Sequence, residues 1–383
     1  MPRTLEISDE AFGWLENTAD VNHMDVQDFV EMIGNHFQLP EGQHGMLMHR
    51  QVLRKVPECM TNLRRNMTHI LNCKSVDQIK AVEDAVQGSR AALVIANGPS
   101  LSDAVLETIK ASEFRQRGGL TLCVDSALRR VLRAGIIPDF VVLLDPQIYA
   151  RDFFTDPVVD RYNKRLSYIL PTDMHPEVVA LLRGELYFFQ TAWPPYPSIN
   201  LNMYMTCMFP DIPSLDSGGN VGVFSIILAY YLKKEWIAAV GLDFSWPGHT
   251  KHCETENFFL DVLDHGGSVL YGPNGEYLGV QWPCGTDRCY SAECAKRRET
   301  EPSHSVCQEA LDSQFVHVTD PFGNDRVIDA IYDIYVDLLA ERIPNMKKNR
   351  EGQRFFNCSG AGLAYPEGME RVSLQEYFDL LGV

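Results

Sequence analysis

The stretch Ala91-Ala-Leu-Val-Ile-Ala-Asn-Gly-Pro-Ser-Leu-Ser102 decides the fold class of this chain. Its opening apolar run predicts a short strand that is buried on both faces. The next four residues, Asn97-Gly98-Pro99-Ser100, favour a sharp turn, after which Ser100 or Ser102 caps a helix. Strand, turn and helix together predict one βα unit of a doubly wound sheet.

The turn in this unit is a candidate anion site. Backbone N–H groups and the helix dipole favour negative charge at a helix N-terminus, and Gly98 lets a phosphate approach the backbone. We therefore interpret Asn97, Gly98, Pro99 and Ser100 as nucleotide-binding residues. An ordinary βα loop is the alternative, because the six-residue dinucleotide fingerprint and the lysine-bearing P-loop are both absent.

Outward from this unit, strands and helices alternate from Gly88 onward, which is typical of a parallel sheet. We predict an α/β fold with a Rossmann-like, mainly parallel sheet and helices on both faces. A helical N-terminal region covers residues 1–75, the nucleotide-binding domain residues 76–345, and a C-terminal strand and helix residues 346–383. Glycine-rich turns, one of them expected at Gly279, indicate an inserted, irregular or β segment at about residues 254–312. Beyond this segment we expect a long helix that ends at Arg342 and has Ile328 on its apolar face.

Acidic residues follow three of the predicted strands. Asp125 comes after Leu120–Val124, Asp145 follows Phe140–Leu144, and Asp243 follows Trp236–Val240. Ligands of open α/β sheets bind at the carboxyl ends of the strands, where an acidic residue can accept a hydrogen bond from a ribose hydroxyl. Asp125 fits that role, although a helix cap at this position needs no function.

The segment Ser217-Gly-Gly-Asn-Val-Gly222 precedes a strongly apolar helix and predicts a second anion cradle. Its nucleotide-binding candidates are Ser217, Gly218, Gly219 and Asn220. Close packing of the helix on the sheet would equally explain Gly222.

Four cysteines with a nearby histidine raise the question of a zinc site in the inserted segment. They are Cys284, Cys289, Cys294 and Cys307, with His304 beside the last. Their gaps differ from the two-residue zinc knuckle, so reduced thiols without metal are the preferred interpretation.

Composition and charge exclude several classes of protein. The net charge of −17 repels nucleic acid, and no long basic stripe offsets it. No segment has the run of about 20 apolar residues that crosses a membrane. The N-terminus lacks the apolar core of a signal peptide, so we expect a cytoplasmic protein with no nucleic-acid or membrane partner.

Four ordered blocks resemble the motility accessory factor family, whose shared domain also occurs in archaeal 6-hydroxymethylpterin diphosphokinases. A more distant similarity links the Asn-Gly-Pro-Ser turn to bacterial sialyltransferases that use CMP-sugars. The blocks are Val94-Ile-Ala-Asn-Gly-Pro-Ser-Leu101; Cys123-Val-Asp-Ser-Ala-Leu128 with Gly135-Ile-Ile-Pro-Asp-Phe140; Ser217-Gly-Gly-Asn-Val-Gly222; and Val240-Gly-Leu-Asp-Phe244.

The resemblance implies a glycosyltransferase that moves a nonulosonic acid, of pseudaminic or legionaminic type, from a CMP-sugar to Ser or Thr of flagellin or a similar protein. It also places a catalytic histidine shortly after Asp243. His252 is the predicted general base because imidazole titrates near neutrality, and His249 is its rival. Asp243 is the second predicted catalytic residue.

Two other functions stay open from the sequence. An ATP-dependent pyrophosphokinase similar to the archaeal pterin enzyme would need Mg²⁺ and aspartates such as Asp145 and Asp243, with Asp145 as the candidate metal ligand. A non-catalytic nucleotide-binding protein would keep the cradle and make His252 and Asp243 dispensable. No cofactor is implied beyond the CMP-sugar donor and this Mg²⁺.

Overall fold

The computed structural model describes residues 43–79, 90–192, 201–245, 268–271, 277–281 and 315–382. The chain divides into two compact units, one of residues 1–56 and 192–211, the other of residues 57–191 and 212–383. The helices used below are α1 (Gln43–Asn72), α2 (Asp103–Ala111), α3 (Leu128–Arg133), α4 (Pro157–Tyr162), α5 (Pro176–Leu181), α6 (Leu201–Met208), α7 (Val221–Tyr231), α8 (Ala330–Asn349) and α9 (Leu374–Leu381). None of these described helices is both long and apolar enough to cross a membrane.

The described strands, in chain order, form one large sheet and two short pairs. They are β1 (Lys74–Ser75), β2 (Ala91–Ile95), β3 (Leu120–Val124), β4 (Phe140–Val142), β5 (Ser167–Pro171), β6 (Glu185–Thr191), β7 (Ser214–Leu215), β8 (Trp236–Val240), β9 (Ser268–Tyr271), β10 (Tyr277–Gln281), β11 (Phe315–Thr319), β12 (Asp325–Asp329), β13 (Arg354–Asn357) and β14 (Met369–Arg371).

A parallel sheet organises the second unit. Within the described residues it contains ten strands in the order β1-β6-β5-β4-β3-β2-β8-β13-β14, with β7 paired to β6. Every pairing in this sheet is parallel, which confirms the predicted Rossmann-like α/β fold.

The central strands are apolar because both of their faces are covered. All five residues of β2 and all five of β3 are buried, and only Trp236 of β8 is partly exposed. A strand covered on both faces has no polar side to show, so its sequence is a continuous apolar run without alternation.

The strand order reverses between β2 and β8. From β2 the chain builds β3, β4, β5 and β6 on one side, and it returns through α7 to add β8 on the other. Helix α7 packs on β2, β3 and β8. Such a reversal is the topological switch point at which open α/β sheets bind ligands.

The C-terminal residues extend the same sheet. Strand β13 pairs with β8 and carries β14 on its outer side. The Tyr377 hydroxyl of α9 donates to the carbonyls of Ala92 and Trp236, at 3.2 and 3.1 Å. The strand and helix predicted within residues 346–383 therefore lie in the sheet-bearing unit.

Two short antiparallel pairs lie outside the central sheet: β9 with β10, and β11 with β12. The first is the hairpin predicted in the inserted segment. Gly279, expected in a turn, is instead within β10 beside a register shift, where a strand glycine commonly marks a bulge.

The second pair corrects the sequence interpretation of Ile328. This residue was expected on the apolar face of a helix, but it belongs to β12 and pairs with Val316. Helix α8 begins two residues later and continues beyond Arg342 to Asn349, with Pro344 inside it. The spacing from Ile328 to the apolar residues of α8 fits a helical period by coincidence. The five residues of β12 are too few for an alternating pattern to identify them as a strand.

Candidate active site at the carboxyl edge of the sheet

Four neighbouring strands bring the predicted polar residues to one edge. Strands β4, β3, β2 and β8 are consecutive and parallel, and they are followed by Asp145, Asp125, Asn97 and Asp243 respectively. The sheet therefore collects residues that are distant in sequence, as the sequence analysis expected of parallel strands.

The Asn97–Ser100 turn is bound to the segment that follows β8. The Gly98 amide donates to the Gly241 carbonyl at 2.7 Å, and the Ser100 amide donates to Asp243 Oδ2 at 2.8 Å. A β-carbon on residue 98 would lie 2.1 Å from that same Oδ2 and 2.4 Å from the Gly241 oxygen. The structure thus requires glycine here for the close approach of Asp243, and the Ser100 amide already has an anionic partner.

Helix α2 begins after this turn. Ser102, one of the two serines proposed as cap, accepts a hydrogen bond from the Val105 amide at 3.3 Å. Ser100 instead serves the contact with Asp243 through its amide.

Asp243 is a buried carboxyl group with a strongly altered pKa. Burial raises its pKa to about 6, against the lowering effects of the Ser100 hydrogen bond and the Arg326 charge. A carboxyl group with a pKa in this range can hold or release a proton near neutral pH, which suits acid–base chemistry.

The backbone beside Asp243 is strained. Phe244 has a φ of 49°, in the left-handed region that a bulky residue rarely adopts. Its ring packs against Tyr332 and Tyr335 of α8, with ring centroids 6.1 and 6.0 Å away. Strain that is maintained by packing in this way is common at functional sites.

The loop after β13 holds the other side of this segment, and the sequence analysis did not place it in the site. Ser359 Oγ accepts from the Leu242 amide at 2.9 Å, and the Leu363 amide donates to the Asp243 carbonyl at 2.8 Å. A β-carbon on Gly362 would lie 2.2 Å from the Asp243 carbonyl oxygen. The signal available in the sequence was the small-residue run Ser359-Gly-Ala-Gly362.

A buried ion pair supports this loop from the β11–β12 turn. Arg326 Nε lies 2.9 Å from Asp320 Oδ2, and both side chains are buried. Burial raises the pKa of Asp320, but hydrogen bonds from Asn324 and Arg326 outweigh it and lower that pKa well below its usual range. Asp320 Oδ2 also accepts from the Gly362 amide at 3.3 Å, which connects the ion pair to the backbone around Asp243.

The Ser217–Gly222 segment is the second predicted cradle, and its glycine amides make local contacts. The Gly218 amide donates to Asp216 Oδ1 at 3.0 Å and the Gly219 amide to Ser217 Oγ at 3.4 Å. Asn220 caps α7 by accepting from the amides of residues 222 and 223. A β-carbon on Gly222 would lie 2.8 Å from Leu242 Cδ1, so this glycine also serves the packing of helix on sheet.

Asp125 and Asp145 form a second acidic feature at the edge. Burial, with the nearby Asp145 charge, raises the pKa of Asp125 to about 7, although its Oδ1 accepts from the Ser126 amide at 2.7 Å. Asp145 is half-buried and accepts from the Gln147 amide. The described residues contain no group of three or more His, Cys, Asp or Glu side chains that could hold a metal ion. Two carboxylates suit Mg²⁺ only where water and substrate phosphates supply the remaining ligands.

Two asparagines of α1 hold the loops that follow β4 and β5, the first of which carries Asp145. Asn62 Nδ2 donates to the carbonyls of Pro146 and Asp173, both at 3.2 Å. Asn66 Nδ2 donates to the carbonyls of Thr172 and Met174. These side chains, four residues apart on one helix, were a signal that the sequence analysis did not use.

The remaining predicted site residues lie outside the described part of the chain. These are His252 and its rival His249, together with His304 and the cysteines Cys284, Cys289, Cys294 and Cys307. The assignments of a general base and of metal-free thiols therefore stay predictions.

The sheet edge lies within a region that is similar to a known family of proteins. Residues 61–249 match the family model described as 6-hydroxymethylpterin diphosphokinase MptE-like. This similarity agrees with the resemblance of the sequence blocks, and the matched region spans β1 to β8 with both predicted cradles and Asp243.

A similar solved structure is related at low identity. The chain resembles the MAf glycosyltransferase from Magnetospirillum magneticum AMB-1, with a TM-score of 0.47 and 17% identity over 75% of this chain and 34% of that protein. The match therefore spans about a third of the length of that glycosyltransferase. A comparison with curated proteins gave no match.

Proposed function

We propose that this protein is a glycosyltransferase of the motility accessory factor kind. It transfers a nonulosonic acid, of pseudaminic or legionaminic type, from a CMP-sugar to a Ser or Thr hydroxyl of flagellin or a similar protein. The observation that carries this proposal is the buried Asp243 carboxyl group at the switch point, hydrogen-bonded to the Asn97–Ser100 turn.

The position of the site favours a nucleotide substrate. The turn after β2, the segment after β8 and the N-terminus of α7 all lie at the carboxyl edge, where doubly wound sheets bind nucleotides. Three of the four ordered sequence blocks that resemble the family fall on these same elements. Asp125, at the carboxyl end of the neighbouring strand β3, can accept a hydrogen bond from a ribose hydroxyl.

The proposed reaction is a single displacement. The acceptor hydroxyl oxygen bonds to the anomeric carbon of the sugar as the bond from that carbon to the CMP phosphate oxygen breaks. The hydroxyl proton passes to His252, and the electron pair of the broken bond leaves with CMP. Asp243, predicted as a second catalytic residue, contributes in this proposal by holding the donor, because its buried carboxyl group lies against the Asn97–Ser100 turn.

A pyrophosphokinase is the second candidate, and one observation favours it. Asp125 and Asp145 are adjacent acidic groups on neighbouring strands, within the region that matches the MptE-like family model. With ATP, this pair would hold Mg²⁺, which would neutralise charge on the transferred diphosphate.

The two functions predict different products. We expect CMP release from CMP-pseudaminic or CMP-legionaminic acid with flagellin present, and sugar on the flagellin by mass spectrometry. Formation of AMP from ATP and 6-hydroxymethylpterin, without CMP release, would overturn the proposal in favour of the kinase. A thermal shift with CMP but neither product would indicate a binding protein, since a ligand at 100 times its dissociation constant stabilises by about 2.7 kcal/mol.

A further inference from the structure

Several buried polar atoms around the switch point have no hydrogen-bond partner among the described residues. They are Asn220 Nδ2, Asp243 Oδ1 and Ser245 Oγ. Buried polar atoms are nearly always satisfied in proteins, because leaving one unpaired costs about 1–3 kcal/mol. Three of them on adjoining segments indicate a place where another molecule supplies the partners.

These atoms belong to segments that meet at Asp243. The Ser100 amide binds its Oδ2, and Ser245 follows two residues later, only 1% exposed. Asn220 begins α7, whose Gly222 contacts Leu242 beside Asp243.

The charge of Asp243 restricts what can bind beside it. Its Oδ2 already accepts a hydrogen bond from the Ser100 amide. The carboxylate also lies so close to Gly98 that no ligand atom fits between the turn and the carboxylate. A phosphate at this amide would have to displace the carboxylate, and a phosphate beside it would meet a like charge at close range. A neutral group with a donor hydrogen meets neither obstacle and satisfies the unpartnered Oδ1.

We propose that Asp243 Oδ1 accepts a hydrogen bond from a neutral donor on the nucleoside part of the ligand, either a ribose hydroxyl or the amino group of the base. Asp243 is then a specificity-determining residue, and the phosphates lie away from it. The choice of cytidine as the nucleoside rests on the proposed function. The inference that a neutral group donates a hydrogen bond to Asp243 does not rest on it.

A double-mutant cycle between protein and ligand tests this contact. Calorimetry would compare the binding of CMP, 2′-deoxy-CMP, 3′-deoxy-CMP and UMP, the last of which lacks the amino group, to the wild type and to Asp243→Asn. Asparagine can keep the Ser100 hydrogen bond through its oxygen, while its NH₂ group replaces the accepting Oδ1.

We expect one analogue to bind the wild type about 10–100-fold more weakly than CMP, as for a lost hydrogen bond to a charged group. The Asp243→Asn variant should bind CMP more weakly than the wild type by a similar factor, and it should bind CMP and that analogue with equal affinity. Asp103→Asn is the matched control, because its carboxylate is 93% exposed at the start of α2, and it should keep the full discrimination. Circular dichroism confirms that each variant is folded.

Each other outcome has a defined meaning. Equal binding of all four ligands by the wild type, or a discrimination that persists in Asp243→Asn, overturns the inference and leaves the proposed function intact; ordered water would then satisfy Oδ1. If CMP fails to bind but ATP binds, the proposed function fails, and the cycle is run with ATP, its 2′- and 3′-deoxy forms and ITP. If Asp243→Asn does not fold, the wild-type analogue series decides, with Ser245→Ala as the variant expected to weaken CMP at unchanged stability.

Discussion

The Asp243 carboxylate lies directly against the α-carbon of Gly98, with Oδ2 where a side chain at residue 98 would begin. The Asn-Gly-Pro-Ser turn therefore has a structural role, because it holds a buried carboxyl group in place through the Ser100 amide. The close approach of Asp243 explains why residue 98 is a glycine without invoking a bound phosphate.

The first prediction concerns this contact. We expect Gly98→Ala to lower the free energy of unfolding by about 3 kcal/mol, because its methyl group would meet the Asp243 carboxylate and the Gly241 backbone oxygen. Gly323→Ala is the control, since open space surrounds it and only its left-handed φ is unfavourable, at about 1 kcal/mol. Urea denaturation of both variants measures the difference. Equal stabilities would show that residue 98 is not closely packed.

The second prediction concerns the pH dependence of stability. Because the pKa of Asp243 is raised to about 6 in the folded protein, the folded state binds more protons than the unfolded state between about pH 4 and pH 6. The wild type should therefore lose up to about 3 kcal/mol relative to Asp243→Asn as the pH rises through this window. Denaturation at pH 4, 5, 6 and 7 measures this change. A stability difference that does not vary with pH would contradict the raised pKa.

The third prediction concerns the Asp320–Arg326 ion pair. Asp320→Ala leaves a buried arginine unpaired and removes the acceptor of the Gly362 amide, so we expect a loss of about 3–5 kcal/mol. The double variant Asp320→Ala/Arg326→Met should recover part of this loss, because no unpaired charge remains. Arg354→Ala, which breaks a partly exposed pair with Glu370, should cost much less. A double variant no more stable than Asp320→Ala would indicate that the amide hydrogen bonds, and not the charge, dominate.

The fourth prediction concerns the general base. His252→Ala should lower turnover of the CMP-sugar by about 10²–10⁴-fold with donor binding nearly unchanged, as expected for loss of proton transfer. His249→Ala, three residues away, is the matched control and should have a much smaller effect. Initial rates of CMP release measure both variants. Small and equal effects would remove the base assignment and favour the kinase, in which Asp125 and Asp145 matter more.

The fifth prediction concerns the cysteines Cys284, Cys289, Cys294 and Cys307. We expect the purified protein to contain no stoichiometric zinc or iron, because their spacing does not match a zinc knuckle. Elemental analysis decides this directly. About one metal ion per chain, lost in Cys289→Ser, would identify a metal-stapled segment instead.

Local sequence was sufficient for the elements whose signals are complete within a few residues. The apolar runs Ala91–Ile95, Leu120–Val124 and Trp236–Val240 were predicted as buried strands and are observed with these bounds. Buried parallel strands have no polar face, so each run identifies itself without reference to its neighbours. The carboxyl-edge position of Asp125, Asp145 and Asp243 follows from the same fact.

Only the tertiary structure decided which groups touch. Ser100 and Asp243 are 143 residues apart, and their hydrogen bond exists because β2 and β8 are neighbours at the switch point. The support of this segment by Gly362 likewise depends on strand order, because β13 pairs with β8. Strand order is set by how all the elements pack together, a property that no local run of residues contains, whereas the apolar character of each strand is determined by its own side chains.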